Sequence, residues 1–237
     1  FSLDWSSDVC SSDLAAGMCA ALAAADYGEV IVLAKGEETG SNTFYAQGGL
    51  AAAIAADDSC DEHIADTIET GKGMCDETVV RECLGAAPEY IDRLRGYGVL
   101  FDSDGDGLSL AREGGHGKAR VIHGEGDSTG RIIIESLLPL VKSRANVKVF
   151  DNCFALDVLT SPLQGGPGSK CIGVLTDHPR FGMQIIIAAK TILASGGAGM
   201  LWRETTNPSC ATGDGLAMAF RAGAALADME LMQFHPT

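Results

Sequence analysis

The chain has 237 residues, 46% hydrophobic and 21% charged, enough for one large domain or two small ones and inconsistent with wholesale disorder. A net charge of −15 argues against a nucleic-acid partner, since phosphates need basic patches, and no apolar run approaches the roughly 18 residues of a membrane-spanning helix. The 30 glycines follow no collagen period, which implies close backbone approaches of the kind nucleotide binding requires. Eight cysteines form no C-x-x-C pair and no paired spacing with His, so they read as reduced, buried small residues. No metal site is expected, and the cytoplasm is the default compartment.

Residues 4–14, Asp-Trp-Ser-Ser-Asp-Val-Cys-Ser-Ser-Asp-Leu, resemble a translated sequencing-library adaptor residue for residue. Residues 1–14 are therefore set apart as non-native, and native sequence is expected from Ala15. Small apolar residues over 15–26 predict a helix that closes at Tyr27-Gly28, and 29–34 reads as a buried strand. A helix followed by such a strand is the second half of a βαβ unit, with Gly17 as the third glycine of G-x-G-x-x-G. Helices are predicted over 63–71 and 77–98, the second interrupted near Pro88. From 147 onward the texture turns to short β-like runs, 147–150, 154–160, 171–176, 184–189 and 191–194, with a polar loop over 161–168. Ser195-Gly196-Gly197-Ala198-Gly199 follows a strand directly, and Gly213-Asp214-Gly215 opens a helix to about Ala225. The chain stops at Gln233-Phe234-His235-Pro236-Thr237 without a terminating signal beyond the proline, so a fragment is expected.

Several constellations could carry chemistry. Asp102-x-Asp104-x-Asp106-Gly107-x₅-Glu113 satisfies a calcium-loop pattern, but Gly114-Gly115 would break the helix that must leave Glu113, and Ser109 cannot serve as the apolar anchor. A solvated acidic turn is the better reading. In Arg112-Glu113-Gly114-Gly115-His116 two glycines would let a ligand approach the backbone, and the carboxylate beside them could neutralise an ammonium; an ordinary surface turn is the alternative. The glycine-rich stretch 41–49 could lay backbone N–H groups against a flat ring or a phosphate, or could be a hairpin with Phe44 and Tyr45 in the core. Asp214 could accept bonds from polyol hydroxyls or simply cap a helix, and His235, held extended by the following proline, could be catalytic or structural.

In this order the motifs resemble the flavin-binding part of the L-aspartate oxidase family, within the fumarate reductase and succinate dehydrogenase flavoprotein superfamily. The carrying segments are Asn-Thr-Phe-Tyr-Ala-Gln-Gly-Gly (42–49), Arg-Glu-Gly-Gly-His (112–116), Asp127-Ser128-Thr129-Gly130, Ala194-Ser195-Gly196-Gly197, Thr205-Thr206-Asn207-Pro208, Gly213-Asp214-Gly215 and 233–237. The resemblance, which spans 15–237, implies an α/β fold: an FAD-binding Rossmann-like domain of the glutathione-reductase type with an inserted β-meander. It also implies that this domain is truncated at both ends and lacks its capping domain.

The implied cofactor is FAD, bound non-covalently because Asn42 stands where membrane-complex relatives carry a flavin-linking His. Ala15, Ala16 and Gly17 would lie at the pyrophosphate turn, and Lys35 at the end of the second strand, where a generic Rossmann site carries Asp or Glu. Asn42, Thr43, Phe44, Tyr45, Ala46, Gln47, Gly48 and Gly49 would wrap the flavin, and Phe154 and Ala155 would lie near the adenine. Ser195, Gly196 and Gly197 would join them as cofactor contacts, with Asp214 on the ribityl chain.

Glu113 stands where dicarboxylate enzymes carry an apolar residue, which points to the amino group of L-aspartate; His235 would take a substrate carboxylate. The implied reaction is oxidation of L-aspartate to iminosuccinate for NAD biosynthesis, with oxygen or fumarate as acceptor and neither membrane nor nucleic acid as partner. A soluble fumarate reductase of the same superfamily is the alternative. Three departures from the family pattern stand out: Asp13 and Leu14 replace the first fingerprint glycines, the proton-transfer Arg of the capping domain is absent, and Gly117 replaces a Ser. The fragment itself is expected not to turn over substrate.

Overall fold

A computed structural model describes residues 15–36, 40–105, 107–162 and 168–233, and the backbone of 7–11. In chain order the elements are β1 (Ser7–Ser11), α1 (Ala15–Ala24), β2 (Glu29–Leu33), β3 (Leu50–Ala51), α2 (Cys60–Gly71) and α3 (Glu77–Gly96). There follow β4 (Ser103–Asp104), β5 (Gly107–Leu108), β6 (Leu110–Ala111), β7 (Val121–Ile122), α4 (Thr129–Ser143) and β8 (Val147–Phe150). The last are β9 (Phe154–Ser161), β10 (Lys170–His178), β11 (Gly182–Ile187), β12 (Lys190–Leu193) and α5 (Asp214–Arg221). They fall into two compact units, 1–43 with 138–237, and 44–137.

The first unit is built on a parallel sheet in the order β12-β1-β2-β8. β2 is buried from Val30 to Leu33, as a strand covered on both faces must be. Its neighbour β1 pairs Val9 with Ile31 on one side and with Thr191 on the other. The first strand of the βαβ unit thus lies within the adaptor-like segment. Ser-Asp-Val-Cys-Ser shares backbone pairing with a central parallel strand but not its apolar composition. α1 buries Met18, Ala21 and Leu22, and Gly17 is buried with them. The Asn146 amide closes the α1–β2 turn by donating to the carbonyls of Ala25 and Gly28 at 2.6 and 2.7 Å.

Between β8 and β12 the chain makes a three-stranded antiparallel sheet, β11-β10-β9. Ile31, Leu33, Cys153, Val174, Ile186 and Ala188 form the adjoining core, with Phe150 packed against it. Each of its larger aliphatic side chains contributes about 1.5–3 kcal/mol by leaving water.

In the second unit α2 is capped by Ser59, whose hydroxyl accepts the Glu62 N–H at 3.2 Å, and α3 by Asp76, whose carboxylate accepts from Thr78 and Val79. Contrary to the sequence reading, α3 is not interrupted at Pro88. The Asp76 cap, Arg93 and Arg95 in the last turn, and the Glu77–Arg81 and Glu89–Arg93 pairs support the helix on both sides of the missing N–H. α4, which begins in this unit and ends in the other, was not anticipated; it buries Ile132, Ile133, Ile134, Leu137 and Val141. α5 stops at Arg221, short of the predicted Ala225, because Gly223 turns to φ +90°.

The cysteines also depart from expectation. Only Cys153 is buried among those whose side chains are described; Cys83 and Cys171 are exposed and the others half-buried, and none of them forms a disulfide. Among the described residues no helix is long and apolar enough to cross a membrane.

Candidate functional site

In the first unit the parallel strands β1, β2 and β12 end on the same side of the sheet. Their carboxyl ends lead to the N-terminus of α1, to Lys35, and to Ser195-Gly196-Gly197. The chain turns from β1 toward β2 and β8, then returns on the far side of β1 as β12, which makes the β1/β12 boundary a topological switch point. Crevices at such points are where open α/β sheets bind ligands. The Ala15 N–H, at the start of α1, donates to Thr43 Oγ1 at 3.3 Å, which holds Asn42-Thr43 beside the helix terminus.

Lys35, Phe154 and Asp214, distant in sequence, converge. The Lys35 ammonium donates to Asp214 Oδ2 at 2.6 Å, to Thr212 Oγ1 at 2.5 Å and to the Cys210 carbonyl at 3.3 Å, and lies 5.1 Å from the centre of the Phe154 ring. Partial burial pushes the Asp214 carboxyl up, but the bonds from Lys35 and Thr212 outweigh it and leave it below the usual carboxylate range. Ala155, next to Phe154, is buried in β9.

The glycines explain how Ser195 meets α5. A Cβ on Gly215 would stand 1.8 Å from Ser195 Oγ, and one on Gly213 (φ +75°) 2.9 Å from Ala198 Cβ. The Gly213 N–H donates to the Gly197 carbonyl at 3.2 Å, so the loop after β12 rests on the first turn of α5.

Residues 44–49 belong to the second unit. Phe44 and Tyr45 meet edge to face at 5.4 Å, and Tyr45 is exposed, so the hairpin-core alternative fails for that ring. The Ala46 carbonyl accepts from Gly130 N–H at 2.9 Å, and Gln47 Nε2 donates to Asp127 at 3.3 Å. Gly49 takes φ +77°, and a Cβ there would lie 2.6 Å from the Ile122 carbonyl oxygen. The 42–49 motif is therefore seated at its end on β7 and on the Asp127–Gly130 motif.

The second unit also holds the 112–117 loop. Glu113 is exposed, with the His116 N–H donating to its carbonyl at 3.3 Å and Arg112 Nε to the His116 carbonyl at 2.9 Å. The Gly117 N–H donates to Asp66 Oδ2 at 2.6 Å. The same oxygen accepts from Arg120 at 2.8 Å, while the fully buried guanidinium makes a two-pronged pair with Asp58 at 2.8 Å in each prong. Gly117 N–H and Arg120 hold the Asp66 carboxyl below its usual range. For Asp58, burial pushes upward but Arg120 more than compensates. His63 is buried with its ring 5.4 Å from that of His116, and neither Nδ1 has a hydrogen-bond partner among the described residues. Burial first, then the charge on Arg120, holds the His63 imidazole below its ordinary value.

Asp58, Asp66, His63 and Arg120 escaped the sequence reading; the available signal was an arginine directly before the apolar pair Val121-Ile122. Within the acidic 102–113 stretch β4 pairs with β5, and β6 pairs with β7 beyond it; Asp106 lies outside the described residues. Both oxygens of Asp102 are taken by backbone donors, Glu125 N–H at 2.9 Å and Gly126 N–H at 3.0 Å. Among the described residues no group of three His, Cys, Asp or Glu is placed to hold a metal. His235 lies outside the described residues, as do Asp13 and Leu14.

The model of the FAD binding domain family matches residues 15–237. The chain belongs to that family. Among curated relatives, L-aspartate oxidase 1 of Ralstonia nicotianae is 42% identical over 226 residues, covering 94% of this chain and 42% of the relative. The chloroplastic L-aspartate oxidase of Arabidopsis thaliana is 46% identical over 224 residues, covering 94% and 34%. The chain thus spans less than half the length of the curated relatives it matches. Among solved structures, Escherichia coli quinol fumarate reductase superposes with a TM-score of 0.90 at 29% identity, covering 98% of this chain and 39% of that one. Sdh1 of Mycobacterium smegmatis gives 0.88 at 31%, covering 98% and 40%.

The cofactor of this FAD binding domain is FAD, and the first unit suits it. An ionised carboxylate and a hydroxyl, Asp214 and Thr212, offer acceptors for polyol hydroxyls. Glycines 213 and 215 keep side chains away from the start of α5, and an ammonium stands at the end of β2.

Proposed function

We propose that this chain is the flavin-binding part of an FAD-dependent L-aspartate oxidase, which converts L-aspartate to iminosuccinate for NAD biosynthesis. The carrying observation is Glu113, an exposed carboxylate beside Gly114-Gly115 in a loop seated on α2. The two glycines leave backbone open to a ligand, and the carboxylate matches a substrate ammonium, which a dry site must neutralise. The relatives named L-aspartate oxidase support the same substrate.

FAD, when bound, supplies the two-electron oxidant that takes a hydride from the substrate Cα. This chain's residues bind and orient. Ala15, Ala16 and Gly17 would lie at the pyrophosphate turn and Phe154 and Ala155 near the adenine, with Lys35 and Asp214, joined at 2.6 Å, together at one sugar of the cofactor. Within the first unit Asn42, Thr43 and Ser195-Gly196-Gly197 would complete the cradle, with Asn42 leaving the flavin non-covalent. We read the β9–β10–β11 sheet as the β-meander inserted in a glutathione-reductase-type domain. Glu113 would hold the amino group and His235 a carboxylate, and loss of one amino proton to solvent together with the hydride to bound flavin would give iminosuccinate. Oxygen or fumarate would take the electrons onward.

The test is the visible spectrum of the purified full-length gene product under anaerobic conditions, titrated with L-aspartate and separately with succinate. Bleaching by L-aspartate is the expected result. A flavin that answers only to succinate and fumarate would move the protein to the dicarboxylate branch and overturn the oxidase reading.

A further inference from the structure

The 112–117 loop rests on one face of α2. His63, Asp66 and Thr70, at i, i+3 and i+7, share that face. Each meets the loop at a different point: the His63 ring lies against His116, Asp66 Oδ2 takes the Gly117 N–H, and Thr70 Oγ1 stands 3.2 Å from where a Cβ on Gly115 would be. Gly115 leaves that tight approach unmade, and its φ of +84° independently favours glycine here.

Among the described residues no hydrogen bond or ion pair holds the Glu113 carboxylate itself. Its position is therefore set by the loop backbone, through the His116 N–H on its own carbonyl and the Arg112 side chain across the turn. The far end of the loop is tied at two places, by Gly117 to Asp66 and by the Arg120 N–H to the Ala111 carbonyl at 3.1 Å. Asp66 links the two ties, because the oxygen that accepts from Gly117 also accepts from the Arg120 side chain.

We propose that Asp66 is a positioning residue, which anchors the Gly114-Gly115-His116-Gly117 turn to α2 and thereby fixes where Glu113 meets the substrate's amino group. The proposal rests on the reading of Glu113 given above. A Cβ on Gly117 would lie 3.1 and 3.2 Å from the two Asp66 oxygens, so glycine leaves this bond without that tight approach.

A residue that only stabilised the fold would affect all substrates alike. Asp66 acts on the group that binds the ammonium, so its loss reads out on amino substrates. In the full-length holoprotein, Asp66→Ala is expected to raise the KM for L-aspartate about tenfold, with kcat and the KM for fumarate moving less than about twofold. Asp66→Asn, which keeps an oxygen for Gly117 N–H and Arg120, is expected to recover most of that loss. Hydrogen exchange provides a reading without substrate: the Gly117 amide is protected in the wild type and exchanges at least about tenfold faster in Asp66→Ala.

Equal rises for L-aspartate and fumarate, an unchanged KM for L-aspartate, or equal Gly117 exchange in the two proteins would each overturn the proposal. A wild-type flavin that L-aspartate does not bleach overturns the oxidase reading and with it the substrate role of Asp66. Gly117 exchange reports separately whether the turn is anchored.

Discussion

The Asp58 carboxylate grips the Arg120 guanidinium with both oxygens at 2.8 Å, and both side chains are completely buried. Asp66 takes a further guanidinium nitrogen at 2.8 Å, so Nε and both terminal nitrogens of Arg120 each meet a carboxylate. A cation buried beneath the loop that carries Glu113 is tolerable only because two anions enclose it. The cluster ties β7, which Arg120 precedes, to α2 and to the turn ahead of it.

Removing one partner should expose that dependence. Asp58→Ala leaves Arg120 with Asp66 alone and is expected to destabilise the protein by about 3–5 kcal/mol, the usual consequence of leaving a buried charge under-compensated. Replacing Asp58 and Arg120 together by apolar residues should cost much less. Denaturant midpoints of the single and double variants check this, and a double variant as unstable as Asp58→Ala would mean that the pair itself stabilises the fold.

These relationships differ in how far they could be read from residues alone. β2 was legible because four successive residues, Val30 to Leu33, carry both its strand propensity and its burial. α1 and the α5 start were legible because their glycines and small residues are local. α4 was missed although Ile132, Ile133, Leu137 and Val141 recur at helical spacing; the β-branched run and Pro139 mask that period. Lys35 meets Asp214 across 179 residues and Arg120 meets Asp58 across 62, separations over which no local pattern acts. The order of motifs hinted at the first pair through a family resemblance. Nothing comparable pointed to the second, whose members lie outside every motif.

Acid should weaken the second unit through His63. Its imidazole is buried between Arg120 and His116, with Asp58 and Asp66 as the opposing charges, and titrates below its ordinary 6.5. The folded form then binds a proton less readily than the unfolded chain. The associated stability is complete above about pH 6.5 and is lost as the pH falls through the lowered folded value. Denaturant midpoints should drop as the pH falls below about 6.5, and His63→Leu should flatten that slope. Asp58 and Asp66 lose their contribution only further down, below the ordinary 3.8 of a carboxyl.

Asp214 should matter to the cofactor more than to the fold. Its pair with Lys35 is partly exposed, 28% and 35% for the two side chains, which limits its share of stability to about 1 kcal/mol or less. Asp214→Ala is expected to lower the melting temperature of the flavin-free protein by only a degree or two. The same change should weaken FAD binding about tenfold or more, one or two hydrogen bonds to a charged acceptor being lost. Flavin fluorescence quenching measures the second quantity. Unchanged affinity would remove Asp214 from the cradle.

Gly215 offers the sharpest test of how the Ser195 loop rests on α5. In a helix, Ala is ordinarily preferred to Gly by about 1 kcal/mol. Here a Cβ would stand 1.8 Å from Ser195 Oγ, closer than atoms can approach, and 3.0 Å from Ser195 Cβ, a tight contact. Gly215→Ala is therefore expected to destabilise the protein by about 1–3 kcal/mol, against the helix preference. Adding Ser195→Ala removes the nearer collision and leaves the 3.0 Å approach, so it should recover part of the loss and no more. A double-mutant cycle on denaturant midpoints reads the coupling directly. Should Gly215→Ala instead stabilise by its helix preference, the loop after β12 would not lie against α5, and the shared placement of Ser195 and Asp214 in one cofactor cradle would fall with it.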